Sequence, residues 1–253
     1  MIERADLLEL VASEHPCPLL FATVSGAHLY GFPSADSDFD IRGVHLMDRG
    51  SLLGLGKPGE TIDRSELRDG REIDLVTHDV RKFFLLMLKP NGYVLEQLFS
   101  PLVVCTTPEH EELKELGSAC ITRHHVFHYL GFARNQWELF RKDEPPRVKP
   151  LLYVYRVILT GLHLMATGEI EANLVRLNES AELSYIPELI ERKVTGSESH
   201  TLDDADMRLH EAEYARLMQR LDVAGERSTL PERPSARAGL DALLVRLRLG
   251  SLR

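Results

Sequence analysis

The stretch SGAHLYGFPSADSDFDIRG, residues 25–43, sets Asp36, Asp38 and Asp40 within five positions, behind two glycines, Gly26 and Gly31. The run LLFATV (19–24) before it is dense in apolar residues and reads as a buried strand. DFDIRGVHL (38–46) alternates polar and apolar residues at its start and reads as a second strand. Side chains two apart share a strand face, so Asp38 and Asp40 point together while Phe39 and Ile41 face the core. Their Cα atoms are expected roughly 6.5 Å apart. Gly26 lets the chain turn tightly after the first strand. The amides of Ala27 to Leu29 then point outward at a short helix start, where backbone N–H groups cradle phosphates.

REIDLVT (71–77) alternates again and reads as a third strand, with Ile73 and Leu75 inward and Asp74 outward. Glu72 shares the face of Asp74 as a solvated neighbour. If this strand lies beside the second, Asp38, Asp40 and Asp74 converge on one solvated face. Carboxylates that close raise one another's pKa unless a cation sits among them. Hard divalent cations with oxygen ligands meet that demand, Mg2+ first and Mn2+ as its substitute. A bare D-x-D is commonly no more than the polar face of a half-exposed strand. Here a buried strand, a glycine turn, a short helix start and S-D-x-D follow in order. That combination points to a site for a nucleoside triphosphate and a metal.

The rest of the chain sets the frame. It has 253 residues, 43% of them hydrophobic and 27% charged, which suits one large or two small globular domains. The net charge of -9 argues against a protein that coats nucleic acid, though not against a local basic groove. Cys17, Cys105 and Cys120 are odd in number and form no C-x-x-C pair, which disfavours a disulfide framework or a thiolate zinc site. The N-terminal MIERADLLEL carries acids early and no apolar secretory core. LLYVYRVILTGLHLMA (151–166), interrupted by Arg156 and His163, reads as a buried helix rather than a span. The expectation is a soluble, cytoplasmic protein with no membrane partner.

Residues 3–13 form an expected amphipathic helix with Leu7, Leu8 and Val11 on one face, broken by Pro16 and Pro18. Residues 48–61 are Gly-rich and read as loop. Asp79 is a candidate N-cap for a helix over 79–89, and Asn91 for a short one through Leu98. LVVC (102–105) is a short strand, and 108–120 a helix with proline and acids at its start. Helices alone follow, over 124–142, 149–167, 185–193, 203–222 and 235–248, with 223–235 as linker. The fold class is α+β: a small mixed β-sheet with flanking helices over residues 1–118, then an all-helical unit over 119–253.

The opening stretch resembles the G-S…(S)D-x-D signature of the DNA polymerase β-like nucleotidyltransferase superfamily. More narrowly, it resembles the bacterial nucleotidyltransferase family associated with RNA ligase and RNA repair, of the form S-G-S-x-x-Y-G…S-D-x-D-x-R-G. Ser25, Gly26, Ala27, Tyr30, Gly31, Ser37, Asp38, Asp40, Arg42 and Gly43 stand in that register. The segments at 73–98, holding Asp74 and Glu96, at 129–136 and at 149–170 are similar to the family too. The likeness covers about residues 19–170.

The resemblance implies transfer of a nucleoside monophosphate from an NTP to a hydroxyl acceptor, with release of pyrophosphate. It implies Asp38, Asp40 and Asp74 as catalytic residues and ligands of Mg2+ or Mn2+, with Asp74 also accepting the hydroxyl proton. Gly26, Ala27, Ser37 and Arg42 would bind nucleotide, joined by Lys149, Tyr153 and Arg156 as a clamp from the helical unit. The implied acceptor is an RNA end, with RNA-repair proteins as partners. A small-molecule or protein acceptor and a catalytically idle nucleotide-binding module remain alternatives. Two positions depart from the family form: Ala27 stands where it has serine, and Tyr153 where it has histidine.

Other features have plainer readings. His124 and His128 lie one helical turn apart, as a metal pair would, but no cysteine or acid completes a set nearby. Arg123 and His128 resemble the R-x4-H motif of helical ribonuclease domains. A polar helix start accounts for both. Trp137 with Phe132 and Phe140 falls at helical spacing and reads as core. RLRLGSLR (246–253) reads as a solvated helix end.

Overall fold

In the computed structural model, which describes Leu7, Val11 and residues 15–68, 70–196, 202 and 204–250, the apolar run LLFATV becomes strand β1 (Leu19–Val24). Strand β2 (Phe39–His45) buries Phe39 and Ile41 and leaves Asp40 and Arg42 on the other face, as period-two alternation requires. Strands β3 (Thr61–Arg68), β4 (Arg71–Asp79) and β5 (Val103–Thr106) complete one five-stranded sheet in the order β3-β4-β2-β1-β5. Strands β2 and β4 run parallel, and the other pairings are antiparallel. The sheet is therefore mixed.

On one face Ala22, Val24, Phe39, Ile41, Ile73, Leu75 and Val104 pack into a cluster closed by Leu7 and Val11, both helical. Leu8, expected beside them, lies outside the described residues. On the other face lie helices α3 (Val80–Met87), α4 (Gly92–Phe99) and α5 (Pro108–Ser118). Phe21 meets Phe83 edge-on at 5.6 Å and stacks on His110 at 4.1 Å. Asp79 caps α3 as its sequence position indicates, its carboxylate accepting from the Arg81 amide at 2.9 Å. Asn91 occupies the cap position of α4 without a side-chain cap bond.

Three elements depart from the sequence reading. Strand β3 has no apolar alternation; it is an edge strand with Asp63, Arg64 and Glu66 along it, and charge protects such edges from pairing with other chains. The segment 48–61, expected as loop, holds a short helix, α2 (Arg49–Leu53), started by Asp48 accepting from the Ser51 amide at 3.0 Å, whereas α1 (Gly26–Tyr30) lies where a short helix start was expected. Helix α8 (Leu174–Ala181) is opened by Asn173, whose side chain accepts from Val175 and Arg176.

The chain divides into two compact units: Met1–Leu29 with Ser37–Cys120 and Arg233–Arg253, and Tyr30–Asp36 with Ile121–Glu232. The first contains the sheet and takes in the last helix, α11 (Arg237–Leu249). The end of α11 is tied down by two arginines. Arg49 donates to the carbonyls of Leu249 and Gly250. Arg248 reaches both oxygens of Asp79, at 2.6 and 2.7 Å, where Asp79 is 1% exposed. Removing one partner of a buried pair strands the other charge, so Arg248→Met is expected to destabilise this unit by about 3 kcal/mol. Chemical denaturation of the variant against wild type measures it, and a loss below about 1 kcal/mol would show the pair to be dispensable.

The second unit holds helices α6 (His125–Lys142), α7 (Val148–Thr167), α8, α9 (Tyr185–Thr195) and α10 (Asp204–Arg227). Among the described residues α7 is the one helix long and apolar enough to cross a membrane, and most of it is buried in the fold. Trp137 is core, stacked on Tyr214 at 4.3 Å. Helix α10 runs into the segment read as linker. Gly225, which suggests a break, is there because a Cβ would stand 2.8 Å from Val126, so glycine lets the helix pass close.

Candidate active site

Strands β2 and β4 are paired so that Asp40 lies directly opposite Asp74. Neighbouring strands sit about 4.8 Å apart, which brings the two carboxylates onto one face side by side. Each is about a third exposed. Arg42, two residues along the same face, bridges them: its Nη2 donates to Asp40 Oδ1 and to Asp74 Oδ2, both at 2.8 Å. Its Nη1 donates to the carbonyls of Ile41 and Asp74 at 2.9 and 2.8 Å, and its Nε to the Tyr93 hydroxyl at 3.0 Å.

Burial raises the pKa of Asp40; Arg42 opposes that shift, and the charges of Asp74 and Asp38 add to it. For Arg42 burial works against the charge, but Tyr93, Asp40 and Asp74 outweigh it and hold the guanidinium firmly protonated.

Gly26 follows β1 with φ +62°, a left-handed turn that glycine adopts without strain. The space where its Cβ would stand is filled by the Asp40 carboxylate, with Oδ2 1.9 Å from that point. The Ser25 amide donates to the Asp40 carbonyl at 2.7 Å, so the turn is stitched to the start of β2. The glycine thus serves the carboxylate directly, beyond the chain reversal read from the sequence. Gly26→Ala is expected to push Asp40 off Arg42 and to lower any activity of the site at least tenfold, by the strained turn and the clash together. Unchanged activity in a folded variant would show that the position of Asp40 is unimportant.

Asp38 stands exposed just before β2 begins. It is close enough to add to the field at Asp40 but is not closed on the pair. Among the described residues, no group of three or more His, Cys, Asp and Glu side chains is gathered as it stands into a metal cage. The structure brings Asp40 and Asp74 together and leaves Asp38 beside them. Their donor chemistry fits a divalent ion nonetheless. All three offer hard carboxylate oxygens, and a cationic nitrogen already bridges two of them. Ala27 is buried and Ser37 half-buried near this turn in sequence.

Lys149, Tyr153 and Arg156 lie along α7 in the second unit, which also holds the segment Tyr30–Asp36. Arg156 is fully buried with its guanidinium 4.0 Å from the Tyr30 ring centre. Tyr153 packs edge-on against Tyr30 at 5.6 Å and Phe32 at 5.7 Å. Lys193 donates to the Phe32 carbonyl at 2.9 Å and the Ser34 hydroxyl at 2.8 Å. The Asp36 carboxyl is held below its usual range by the Ser34 hydroxyl first, with Lys193 and Lys149 contributing.

Two contributors escape sequence reading. Tyr93 lies in a familial segment, but nothing in its spacing ties it to Arg42. Lys193 sits on a charged helix end like many others. Arg123 donates to the carbonyls of Gly225 and Glu226, closing the end of α10, so its contacts are those of a helix cap. His125 is fully buried beside Thr122, and burial lowers the pKa of His128 to about 4.

Among curated proteins, the chain is 28% identical over 230 residues to the uncharacterized protein MJ0002 of Methanocaldococcus jannaschii, covering 88% of this chain and 91% of that one. It is also 28% identical over 203 residues to the uncharacterized protein YcgL of Bacillus subtilis, covering 76% of each. Among solved structures, a nucleotidyltransferase-like protein from Exiguobacterium sibiricum aligns with a TM-score of 0.32 at 11% identity, over 87% of this chain and 77% of that one. The model of one family, RlaP, matches residues 2–246, nearly the whole chain. With its paired strand carboxylates and glycine turn, this chain belongs to the RNA repair pathway DNA polymerase beta family.

Proposed function

We propose that the chain is a metal-dependent nucleotidyltransferase that passes a nucleoside monophosphate from an NTP to a hydroxyl at an RNA end. The observation that carries this reading is Asp40 opposite Asp74 on adjacent parallel strands, with Gly26 packed against the Asp40 carboxylate. The RNA acceptor is drawn from the description of the family, an RNA repair pathway.

In the reaction, the acceptor hydroxyl oxygen bonds to the α-phosphorus, the bond from that phosphorus to the β-phosphate bridging oxygen breaks, and pyrophosphate leaves. Asp74 takes the hydroxyl proton. Asp38, Asp40 and Asp74 would hold Mg2+ or Mn2+, which supplies charge stabilisation at the attacking and leaving oxygens. Arg42 keeps the two strand carboxylates aligned and offsets their repulsion. The protein's contribution is positioning and charge, as for phosphoryl transfer generally.

The test is incubation with each α-labelled NTP, Mg2+ and cellular RNA, followed by separation of RNA, protein and small molecules. Label on RNA ends is expected. Label on protein or on a small molecule would move the acceptor to that class. No label and no pyrophosphate with any NTP would leave a nucleotide-binding module without catalysis.

A further inference from the structure

We infer that Arg42 is the resident counter-cation of the Asp40–Asp74 pair, and that a divalent ion loads in competition with it unless a polyanionic substrate arrives at the same time. The inference rests on the proposed reading of these two aspartates as the metal-holding pair.

A single nitrogen, Arg42 Nη2, touches both carboxylates at 2.8 Å. It therefore occupies the ground between them that a bridging ion would need. The guanidinium is not resting there by chance. Five bonds run to Tyr93, to two main-chain carbonyls and to the two aspartates, matching the five N–H donors an arginine has. Its side chain is 11% exposed.

A lone dication approaching this pair meets a fixed positive charge held against the same oxygens. A triphosphate carries enough negative charge to balance both cations. The arrangement thus disfavours free metal and favours metal delivered with nucleotide, which would keep the pair from holding an idle ion. Tyr93 is a positioning residue in this device: its hydroxyl accepts from Nε and sets how firmly the guanidinium is held.

The experiment titrates Mg2+ alone into wild type, Arg42→Gln and Tyr93→Phe by calorimetry, and repeats each titration with a non-hydrolysable triphosphate present. Melting temperature is read in EDTA and in Mg2+. Arg42→Gln is expected to bind free Mg2+ at least tenfold more tightly than wild type, to melt lower in EDTA, and to gain more from added Mg2+. Tyr93→Phe is expected to shift in the same direction by a smaller factor. Adding Asp74→Asn to Arg42→Gln should abolish the gain.

Equal or weaker free-metal binding by Arg42→Gln overturns the competition. If wild type then still binds metal with triphosphate through Asp74, the site reading stands and only the role of Arg42 falls. Absence of divalent binding in every protein, with triphosphate or without, overturns both. Should Arg42→Gln fail to fold, Tyr93→Phe decides, since it keeps the arginine: free-metal affinity at or below wild type refutes the inference.

Discussion

Asp40→Asn and Asp74→Asn are each expected to cut nucleotide transfer by about a thousandfold or more, beyond the 10–100-fold typical of groups that only support a metal ligand. Asparagine keeps the size and shape of the side chain and removes the charge that a hard cation requires. The fold should tolerate the change. Arg42 Nη2 can still donate to an amide oxygen, and its remaining carboxylate partner still balances the guanidinium. A stability change of about 1 kcal/mol or less is expected in either direction. Melting temperature and turnover measured on the same samples separate catalysis from structure. A variant that melts well below wild type yet still transfers nucleotide would assign that aspartate a structural role.

Acidification should unfold the protein well before its carboxylates titrate normally. His45, His110 and His125 are almost wholly buried, and in each case desolvation lowers the pKa to about 4 from 6.5. A depressed histidine binds its proton more readily in the unfolded chain. Its contribution is therefore complete above pH 6.5 and is lost as pH falls from there through about 4. By that linkage the three together are worth on the order of 10 kcal/mol, a large share of the stability of an ordinary domain. Burial lowers His15 and His210 as well, with the same sign, whereas the raised pKa of Asp40 acts in the opposite sense. Denaturant unfolding measured at intervals from pH 7.5 to 4 should show stability flat above about pH 6.5 and falling steeply below it. A flat profile down to pH 4.5 would mean that these imidazoles are solvated or paired in the folded state.

The parts of the site legible in sequence are those governed by strand alternation. Asp40 and Asp74 each sit between two apolar residues bound for the core, so their shared face follows once the strands pair. That the strands run parallel and in register is set by packing across the sheet, which no local pattern encodes. Strand β3 was illegible because an edge strand has only one paired side and carries charge to guard the other. The end of α10 was illegible because Gly225 answers to Val126, a residue about a hundred positions away. Helix α11 reads as part of a helical tail by composition, yet Arg248 and Arg49 fasten it to the sheet unit through contacts with residues far away in sequence. Arg156 shows the same limit: helical spacing puts it on a face with Lys149 but does not show that it is buried beneath Tyr30.

The most direct test of the central claim is isothermal titration of a non-hydrolysable NTP into wild type in Mg2+ and in EDTA, with Asp40→Asn and Asp74→Asn alongside. Affinity at least tenfold higher in Mg2+, and loss of that difference in both variants, is the predicted result. Equal affinity in Mg2+ and EDTA, or a metal effect that survives both substitutions, would contradict it.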